Sequence, residues 1–325
     1  VLLSIAISSA QTGQQLKQSD AEVMVALAQS WVPVGWEGQD PCSWPGVICG
    51  EKSTPGILSS ADETFVKSIS LRGVCEHAAA IQRKEHWTCD LPPSLGKLSG
   101  LEYLYLNGNG FQGTIPTQIG NINTLKALYL NSNELWGEIP ESLGKLSALE
   151  KLHLNANKLS GEIPPSLGNL PHLLELQLQN NELTGAIPDE LGRLQHLVQL
   201  DLSGNELEGP IPPSLSALTH LHALLLNNNM LQGAIPDDLF GAPMRQLSRV
   251  DLGDNLLAGP LPLGLCRMDH LALFNANGNQ IDTDPLLHCD ARHGRHADEE
   301  NRRHCQDELR KGMCRKLHGA AGSEL

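Results

Sequence analysis

The sequence predicts an α/β solenoid, a right-handed superhelix with a concave parallel β-sheet and short 3-10 or helical turns on the convex side. Three observations predict it: a leucine-based repeat, an alternation of apolar and polar positions within each repeat, and cysteines confined to the two ends of the 325-residue chain. The leucines recur every 24 residues without a gap, at Leu101, Leu125, Leu149, Leu173, Leu197 and Leu221. Such a period indicates one structural unit stacked many times.

Each repeat follows the pattern L-x-x-L-x-L-x-x-N-x-L-x-G-x-I-P-x-x-L-G-x-L, which is complete in the segment from Leu149 to Leu170. Leu152 and Leu154 alternate with polar neighbours, and this period of two predicts a strand with one buried face. The Ile-Pro pair predicts an extended segment because proline fixes φ and has no N–H to donate. The Leu-Gly pair after it predicts a short helical turn. Counted from an irregular first unit at Val66, the repeats predict about nine strands.

Asparagine occupies one fixed position of the repeat, where the chain turns inward. A buried amide there must be satisfied, so we expect a ladder of asparagines bonded to the backbones of neighbouring coils. A few residues later, glycine allows backbone angles that a Cβ would forbid, as at Gly137, Gly161 and Gly185. The asparagines of the expected ladder are Asn109, Asn133, Asn157, Asn181, Asn205, Asn229, Asn255 and Asn279.

The repeat divides the chain into a central array and two caps. The array spans 66–281, and an insertion at 75–90 interrupts its first unit. Residues 11–65 are predicted to form an N-terminal cap, and 282–325 a C-terminal cap and tail. Residues 1–10 resemble the apolar part of a signal peptide, the alternative being a disordered apolar end.

Within the N-terminal cap, apolar residues at helical spacing predict an amphipathic helix over 19–31. Ser19 and Glu22 are spaced as a capping box at its start. Such a helix would shield the open end of the leucine core from water.

The eight cysteines indicate disulfide-stapled caps and therefore an oxidising compartment. The histidines and cysteines of 288–314 allow a zinc interpretation, but no Cys-x-x-Cys pair supports it, so no metal site is predicted. Proximity in the sequence predicts four pairs: Cys42 with Cys49, Cys75 with Cys89, Cys266 with Cys289, and Cys305 with Cys314.

The Gly-x-Ile-Pro segment resembles that of the plant-specific class of leucine-rich repeats. The run WEGQDPCSWPGVIC, Trp36 to Cys49, looks like the cap that precedes those repeats. Receptor-like kinase ectodomains and polygalacturonase-inhibiting proteins share this layout, so the resemblance implies a binding protein. It covers roughly residues 19–290 and is specific to the architecture but not to a ligand.

Composition and motifs exclude several classes of function. The net charge of −14 and a pI near 5.3 argue against a nucleic-acid partner, which requires a basic face. The sequence contains no uninterrupted apolar run long enough for a membrane helix. It also contains no Gly-x-Ser-x-Gly elbow, phosphate loop or His-Glu-x-x-His motif, so we expect neither an enzyme nor a cofactor.

The polar strand positions are expected to project from the concave sheet and to form the binding surface. All three tyrosines of the chain fall on this face, and tyrosine offers a rigid contact area with a polar tip. A group of acidic residues lies further along the array. The alternative is that the tyrosines and these acidic residues are ordinary solvated strand residues. The candidate ligand-binding residues are Tyr103, Tyr105, Tyr129, Lys151, His153, Glu175, Gln177, Asp201 and Asp251.

The sequence therefore predicts a non-catalytic recognition module, secreted or at the cell surface, that binds a peptide or protein on the concave sheet. Two alternatives remain open. One is a secreted inhibitor of a cell-wall hydrolase, and the other is a structural repeat protein of a cell wall or matrix.

Overall fold

The computed structural model of the chain describes residues 15–31, 40–51, 63–75, 89–241, 243–262, 264–265, 268 and 271–282. The expected signal-peptide remnant and the C-terminal cap beyond Asp282 lie outside the described residues. So do the two pairings expected for Cys266, Cys289, Cys305 and Cys314.

The chain divides into two compact units, which are described separately. Unit 1 comprises Val1–Ser160 with Asn169–His172, and unit 2 comprises Gly161–Gly168 with Leu173–Leu325. Unit 1 contains the α-helix α1 (Gln18–Trp31), and the described residues of unit 2 contain no α-helix.

The main sheet of unit 1 is parallel apart from one strand in the cap. Its strands are β1 (Gln15–Leu16), β2 (Val47–Glu51), β3 (Glu63–Ser70), β4 (Tyr103–Tyr105), β5 (Ala127–Tyr129) and β7 (Lys151–His153). They pair in the order β1-β3-β4-β5-β7, and β2 runs antiparallel to β3. Tyr103 lies beside Ala127, and Tyr105 beside Tyr129, so residues one repeat apart are in register.

Unit 2 continues the same construction with five parallel strands. They are β9 (Glu175–Gln177), β11 (Gln199–Asp201), β13 (Ala223–Leu225), β15 (Arg249–Asp251) and β17 (Leu273–Asn275), paired in that order. The repeat strands of unit 1 are β3, β4, β5 and β7. Together with these five they make nine, the number that the leucine period predicts.

A second set of short strands follows the main strands from β5 onward, which the sequence pattern did not predict. In unit 1, β6 (Trp136–Glu138) pairs in parallel with β8 (Lys158–Glu162), with Trp136 beside Lys158. In unit 2, β12 (Glu208–Gly209), β14 (Met230–Gly233), β16 (Leu256–Pro260) and β18 (Gln280–Asp282) pair in order, and β10 (Glu182–Thr184) precedes them. The glycine of the repeat permits the turn within these segments, as at Gly137, where φ is +80°.

Short 3-10 helices close each coil on the side away from the main sheet. They begin directly after the Ile-Pro proline, which adopts an extended conformation (Pro140 φ −66°, ψ 132°). The turns span Pro93–Lys97, Thr117–Asn121, Glu141–Lys145, Pro165–Asn169, Asp189–Arg193, Pro213–Ala217 and Asp237–Phe240.

The core of each unit consists of leucines at identical positions in successive coils. Leu104, Leu128 and Leu152 are fully buried in unit 1, as are Leu176, Leu200 and Leu224 in unit 2. A single coil cannot enclose these side chains, so each coil is stabilised by burial against its neighbours.

The expected asparagine ladder is present. The Asn133 amide nitrogen donates to Leu130 O (2.8 Å) of its own coil and to Leu106 O (3.0 Å) of the preceding coil. Its amide oxygen accepts from the backbone N–H groups of Asn109 (3.0 Å) and Phe111 (3.1 Å). Because one side chain satisfies groups of two coils, the ladder fixes the distance between them. Similar bonds are made by Asn157, Asn205, Asn229, Asn255 and Asn279.

The N-terminal cap differs from expectation at the start of its helix. The helix begins at Gln18, so Ser19 lies within its first turn, and Glu22 accepts a hydrogen bond from the Gln18 side chain (3.2 Å). The predicted Ser19–Glu22 capping box was therefore wrong. The buried carboxylate of Asp20 instead bonds the backbone N–H of Val66 on β3 (3.0 Å), which joins the helix to the sheet.

Two disulfide bonds cross-link the N-terminal part of the chain. Cys42 is bonded to Cys49, with an S–S distance of 2.04 Å, and Cys75 is bonded to Cys89. Both pairs are those that proximity in the sequence predicts.

Candidate ligand-binding face

The main strands place the predicted binding residues on one face of each unit's sheet. In every such strand the middle leucine, valine or phenylalanine is buried and most flanking side chains are half-buried, as in β4 and β7. In unit 1 this face holds Tyr103, Tyr105, Tyr129, Lys151 and His153. In unit 2 it holds Glu175, Gln177, Asp201 and Asp251.

Four aromatic rings form a continuous aromatic ladder on three adjacent strands of unit 1. Tyr105 and Tyr129 have ring centroids 4.9 Å apart, and Tyr129 and His153 are 4.2 Å apart. Tyr103 lies nearly parallel to Tyr105, with an angle of 9° between planes and 6.2 Å between centroids. The spacing follows from the roughly 4.8 Å that separates neighbouring strands. The ladder combines apolar ring surface with polar hydroxyl and imidazole groups.

A cluster of charges borders the aromatic ladder. The Glu102 carboxylate accepts hydrogen bonds from the ammonium groups of Lys67 and, at 2.8 Å, Lys126. Lys126 Nζ also lies over the Tyr103 ring, 5.9 Å from its centroid, which is a cation–π geometry. Lys67 and Lys126 thus share the Glu102 carboxylate, and Glu150 of the next coil also interacts electrostatically with Lys126.

Hydrogen bonding controls the protonation of this charge cluster. Burial alone would raise the pKa of Glu102, but the hydrogen bonds from Lys126 and Lys67 outweigh it and lower that pKa. The same bond from Lys126 to Glu102 raises the pKa of the lysine, and burial opposes it. Glu102 and Lys126 therefore stay ionised over a wider pH range than the free side chains.

The acidic group of unit 2 is less accessible than the sequence suggested. Asp201 is only 7% exposed, and its carboxylate accepts hydrogen bonds from the backbone N–H (3.1 Å) and hydroxyl (2.7 Å) of Ser203. Burial raises the pKa of Asp201, while the Ser203 bonds and nearby Arg249 counteract that rise. Asp251 accepts from the Asn275 amide (2.9 Å) and from the backbone N–H of Gly253. The carboxylates of Asp201 and Asp251 therefore hold the backbone that directly follows their strands.

Sequence reasoning missed Lys67, Glu102 and Lys126 because it considered only the strand positions that alternate with leucine. A signal was available, since the position immediately before the strand carries alternating charge in successive repeats, at Glu102, Lys126 and Glu150. Cross-strand neighbours of opposite charge attract one another, so this alternation predicts ion pairing.

Neither a metal site of three or more ligands nor a membrane-spanning helix is found among the described residues. No three side chains among their histidines, cysteines, aspartates and glutamates converge on a position that could hold a metal ion. In the same residues, no helix has both the length and the apolar character that crossing a membrane requires.

The family model described as leucine rich repeat matches residues 99–159 and 147–207. Among curated proteins, none matches the chain in sequence.

Several solved plant structures are similar to this chain. The ectodomain of the Arabidopsis thaliana receptor kinase GASSHO1/SCHENGEN3, in complex with CASPARIAN STRIP INTEGRITY FACTOR 2, is 30% identical over 82% of this chain and 33% of that chain, with a TM-score of 0.63. The ectodomain of the Arabidopsis receptor kinase HAESA, in complex with an IDA peptide hormone, is 32% identical over 81% of this chain and 45% of that chain (TM-score 0.60). A plant ice-binding protein is 27% identical over 82% of this chain and 88% of that chain (TM-score 0.61).

The chain spans about a third to a half of the length of these receptor ectodomains. The repeat pattern, the asparagine ladder, the parallel strands and these similarities agree with one another. The chain is therefore a leucine-rich-repeat protein of the plant type.

Proposed function

We propose that this protein is a non-catalytic, extracytoplasmic recognition module that binds an extended peptide on the exposed face of its main sheet. The aromatic ladder of Tyr103, Tyr105, Tyr129 and His153 is the observation that carries the proposal. A protein partner would bind through a segment of the same extended kind.

The ladder has the physical properties of a peptide anchor. Tyrosine side chains provide a large contact area at low conformational entropy cost, because each has only two rotatable angles. Their position on a stacked, leucine-filled scaffold holds the rings in place before binding, which lowers the cost of ordering them. The bordering charge cluster adds fixed charges of both signs, which would orient a segment that carries complementary charges.

The comparisons support the same class of ligand. The HAESA and GASSHO1/SCHENGEN3 ectodomains were each solved with a peptide hormone or a named factor bound, at 30% identity or more to this chain. Disulfides Cys42–Cys49 and Cys75–Cys89 support placement in an oxidising, extracytoplasmic compartment.

The test is to select peptides from a random display library on the immobilised wild-type chain and to measure their affinities for variants. The double variant Tyr105→Ala/Tyr129→Ala removes the centre of the ladder. We expect it to weaken the selected peptides by roughly tenfold or more, as truncation of aromatic anchors does at other interfaces.

The matched control is Trp136→Ala. Trp136 is another exposed aromatic residue of unit 1, 55% accessible, but it lies on β6 of the second sheet. We expect this variant to bind the peptides as the wild type does. Unchanged affinity in the double variant, with thermal stability also unchanged, would contradict the proposal, as would an equal loss in the control.

Ice binding is a second candidate function, favoured by one observation. The similar plant ice-binding protein is matched over 88% of its own length, whereas the receptor ectodomains are matched over less than half. Ice recrystallisation in dilute solutions of the chain tests this candidate. Inhibition by the wild type and equally by Tyr105→Ala/Tyr129→Ala would favour it over peptide binding.

A further inference from the structure

We propose that His196 and His220, on consecutive coils of unit 2, form a binding site for a divalent transition-metal ion of the zinc type. The two residues occupy the same position in consecutive repeats, directly before Leu197 and Leu221, and His172 occupies it before Leu173. Leu197 and Leu221 are fully buried, so the backbone that carries each histidine is anchored. Consecutive coils therefore hold the two imidazoles side by side, about one strand spacing apart at the backbone.

The two imidazole rings are near neighbours on adjacent coils. Their centroids are 6.0 Å apart and their planes are inclined by 42°, so the rings do not stack on each other. Both side chains are exposed to solvent. A zinc ion bonds imidazole nitrogens at about 2.0–2.1 Å, and small rotations of exposed side chains bring two rings at this separation to that distance.

A backbone hydrogen bond prepares His220 as a ligand. Its Nδ1 lies 2.9 Å from the carbonyl oxygen of Gln195 on the preceding coil. A carbonyl oxygen can only accept, so Nδ1 carries a proton, and whenever the ring is neutral Nε2 presents its lone pair. Metal-bound histidines are oriented in this way by a partner at the second ring nitrogen.

The protein supplies two ligands and water completes the coordination. Within the described part of the chain no set of three histidine, cysteine, aspartate or glutamate side chains forms a metal site, so the proposed site has two protein ligands. Imidazole is a preferred ligand of zinc, copper and nickel, and calcium or magnesium would not be expected to bind.

His222 provides a control of the same residue type. It lies two residues from His220, is also exposed, and its Nδ1 is 2.9 Å from the carbonyl oxygen of His220. Its Nδ1 thus also carries a proton, but it lies outside the repeat position that His196 and His220 share.

The experiment is histidine footprinting with diethylpyrocarbonate on the full chain, with and without zinc chloride, read residue by residue by mass spectrometry. We expect zinc to protect His196 and His220 together while His222 stays reactive, and magnesium chloride to protect none of them. In His220→Ala, protection of His196 should require roughly tenfold more zinc. In His222→Ala, both members of the pair should be protected as in the wild type.

Residue-level readout separates this pair from the other histidines of the chain. Equal protection of His222, or unchanged protection of His196 in His220→Ala, would overturn the proposal. The aromatic ladder lies in unit 1, so neither result bears on peptide binding.

Discussion

Two carboxylates on the sheet show how the surroundings of a residue decide whether its charge stabilises the fold. Glu102 lies between two ammonium groups, so its ionised form is favoured in the folded chain and its pKa is lowered. Asp201 is buried with mainly neutral hydrogen-bond partners, so its ionised form is disfavoured and its pKa is raised. The same functional group therefore contributes to stability with opposite dependence on pH.

We expect Glu102→Gln to destabilise the chain at neutral pH by about 1–3 kcal/mol, because Lys67 would keep a half-buried charge without its carboxylate partner. A lowered folded-state pKa contributes stability above the unfolded value of about 4.3, and this contribution is lost as the pH falls through the folded value. The difference in urea-unfolding free energy between wild type and variant should therefore shrink below about pH 4.

A matched control for this prediction is Glu134→Gln. Glu134 pairs with Lys158 at 3.4 Å, but both side chains are more than half exposed, and such pairs contribute roughly 0–1 kcal/mol. A loss in Glu102→Gln no larger than that in the control would contradict the role assigned to the charge cluster.

We expect Asp201→Asn to stabilise the chain at neutral pH. The amide retains an oxygen that can accept the Ser203 bonds, and it removes the cost of burying a charge. A raised folded-state pKa means that stability is full below the unfolded value of about 3.9 and is lost as the pH rises through the folded value. The gain in melting temperature should therefore be present at pH 7 and absent below about pH 4.

The exposed Glu206 of the same coil controls for a general charge effect. Glu206→Gln should change stability by no more than roughly 0.5 kcal/mol. A lower melting temperature for Asp201→Asn at pH 7 would show that the ionised carboxylate, through its bonds to Ser203, is needed for the loop.

At the scale of the element, the coil is shaped by two close approaches between neighbours. One is the asparagine ladder, in which Asn205 bonds carbonyl oxygens of both its own coil and the preceding coil. The other is the 3-10 turn, where a Cβ on Gly168 would lie 2.2 Å from the carbonyl oxygen of Glu190 in the next turn. Only glycine allows that packing, which explains the Leu-Gly pair of the repeat.

Much of this element-scale structure could be predicted from the sequence. Leucines with a period of two within a period of 24 predict where each strand lies, and a buried asparagine predicts a backbone ladder because an unsatisfied amide is costly. The second sheet could not be predicted in this way. Its strands are defined by hydrogen bonds between coils, and their register, with Trp136 beside Lys158, does not follow the 24-residue period.

Part of the candidate site could also be predicted from the sequence. The position of Tyr103, Tyr105 and Tyr129 on one face follows from alternation alone. The ring contacts and the two lysines on Glu102 depend on which strands are neighbours, and Lys67 lies in the irregular first unit, where the period gives no register. The burial of Asp201 likewise depends on the fold of its own loop.

At the scale of the whole molecule, each unit is held together by contacts between successive coils and has no single central core. A strand such as β11 packs between β9 and β13, with Leu200 aligned with Leu176 on one side and Leu224 on the other. In a linear array of this kind stability is close to a sum of coil and interface contributions. A defect in a middle coil therefore weakens two interfaces.

We expect Leu200→Ala to lower the free energy of unfolding by about 2–5 kcal/mol, because it removes fully buried methyl groups and leaves a cavity that a regular stack cannot close. Leu256→Ala is the matched control: the same residue type in the same unit, but 51% exposed on the second sheet, so its loss should be within roughly 0.5 kcal/mol. Urea unfolding of both variants measures the difference. Equal losses of unfolding free energy in the two variants would contradict the claim that the leucines stacked from coil to coil stabilise unit 2.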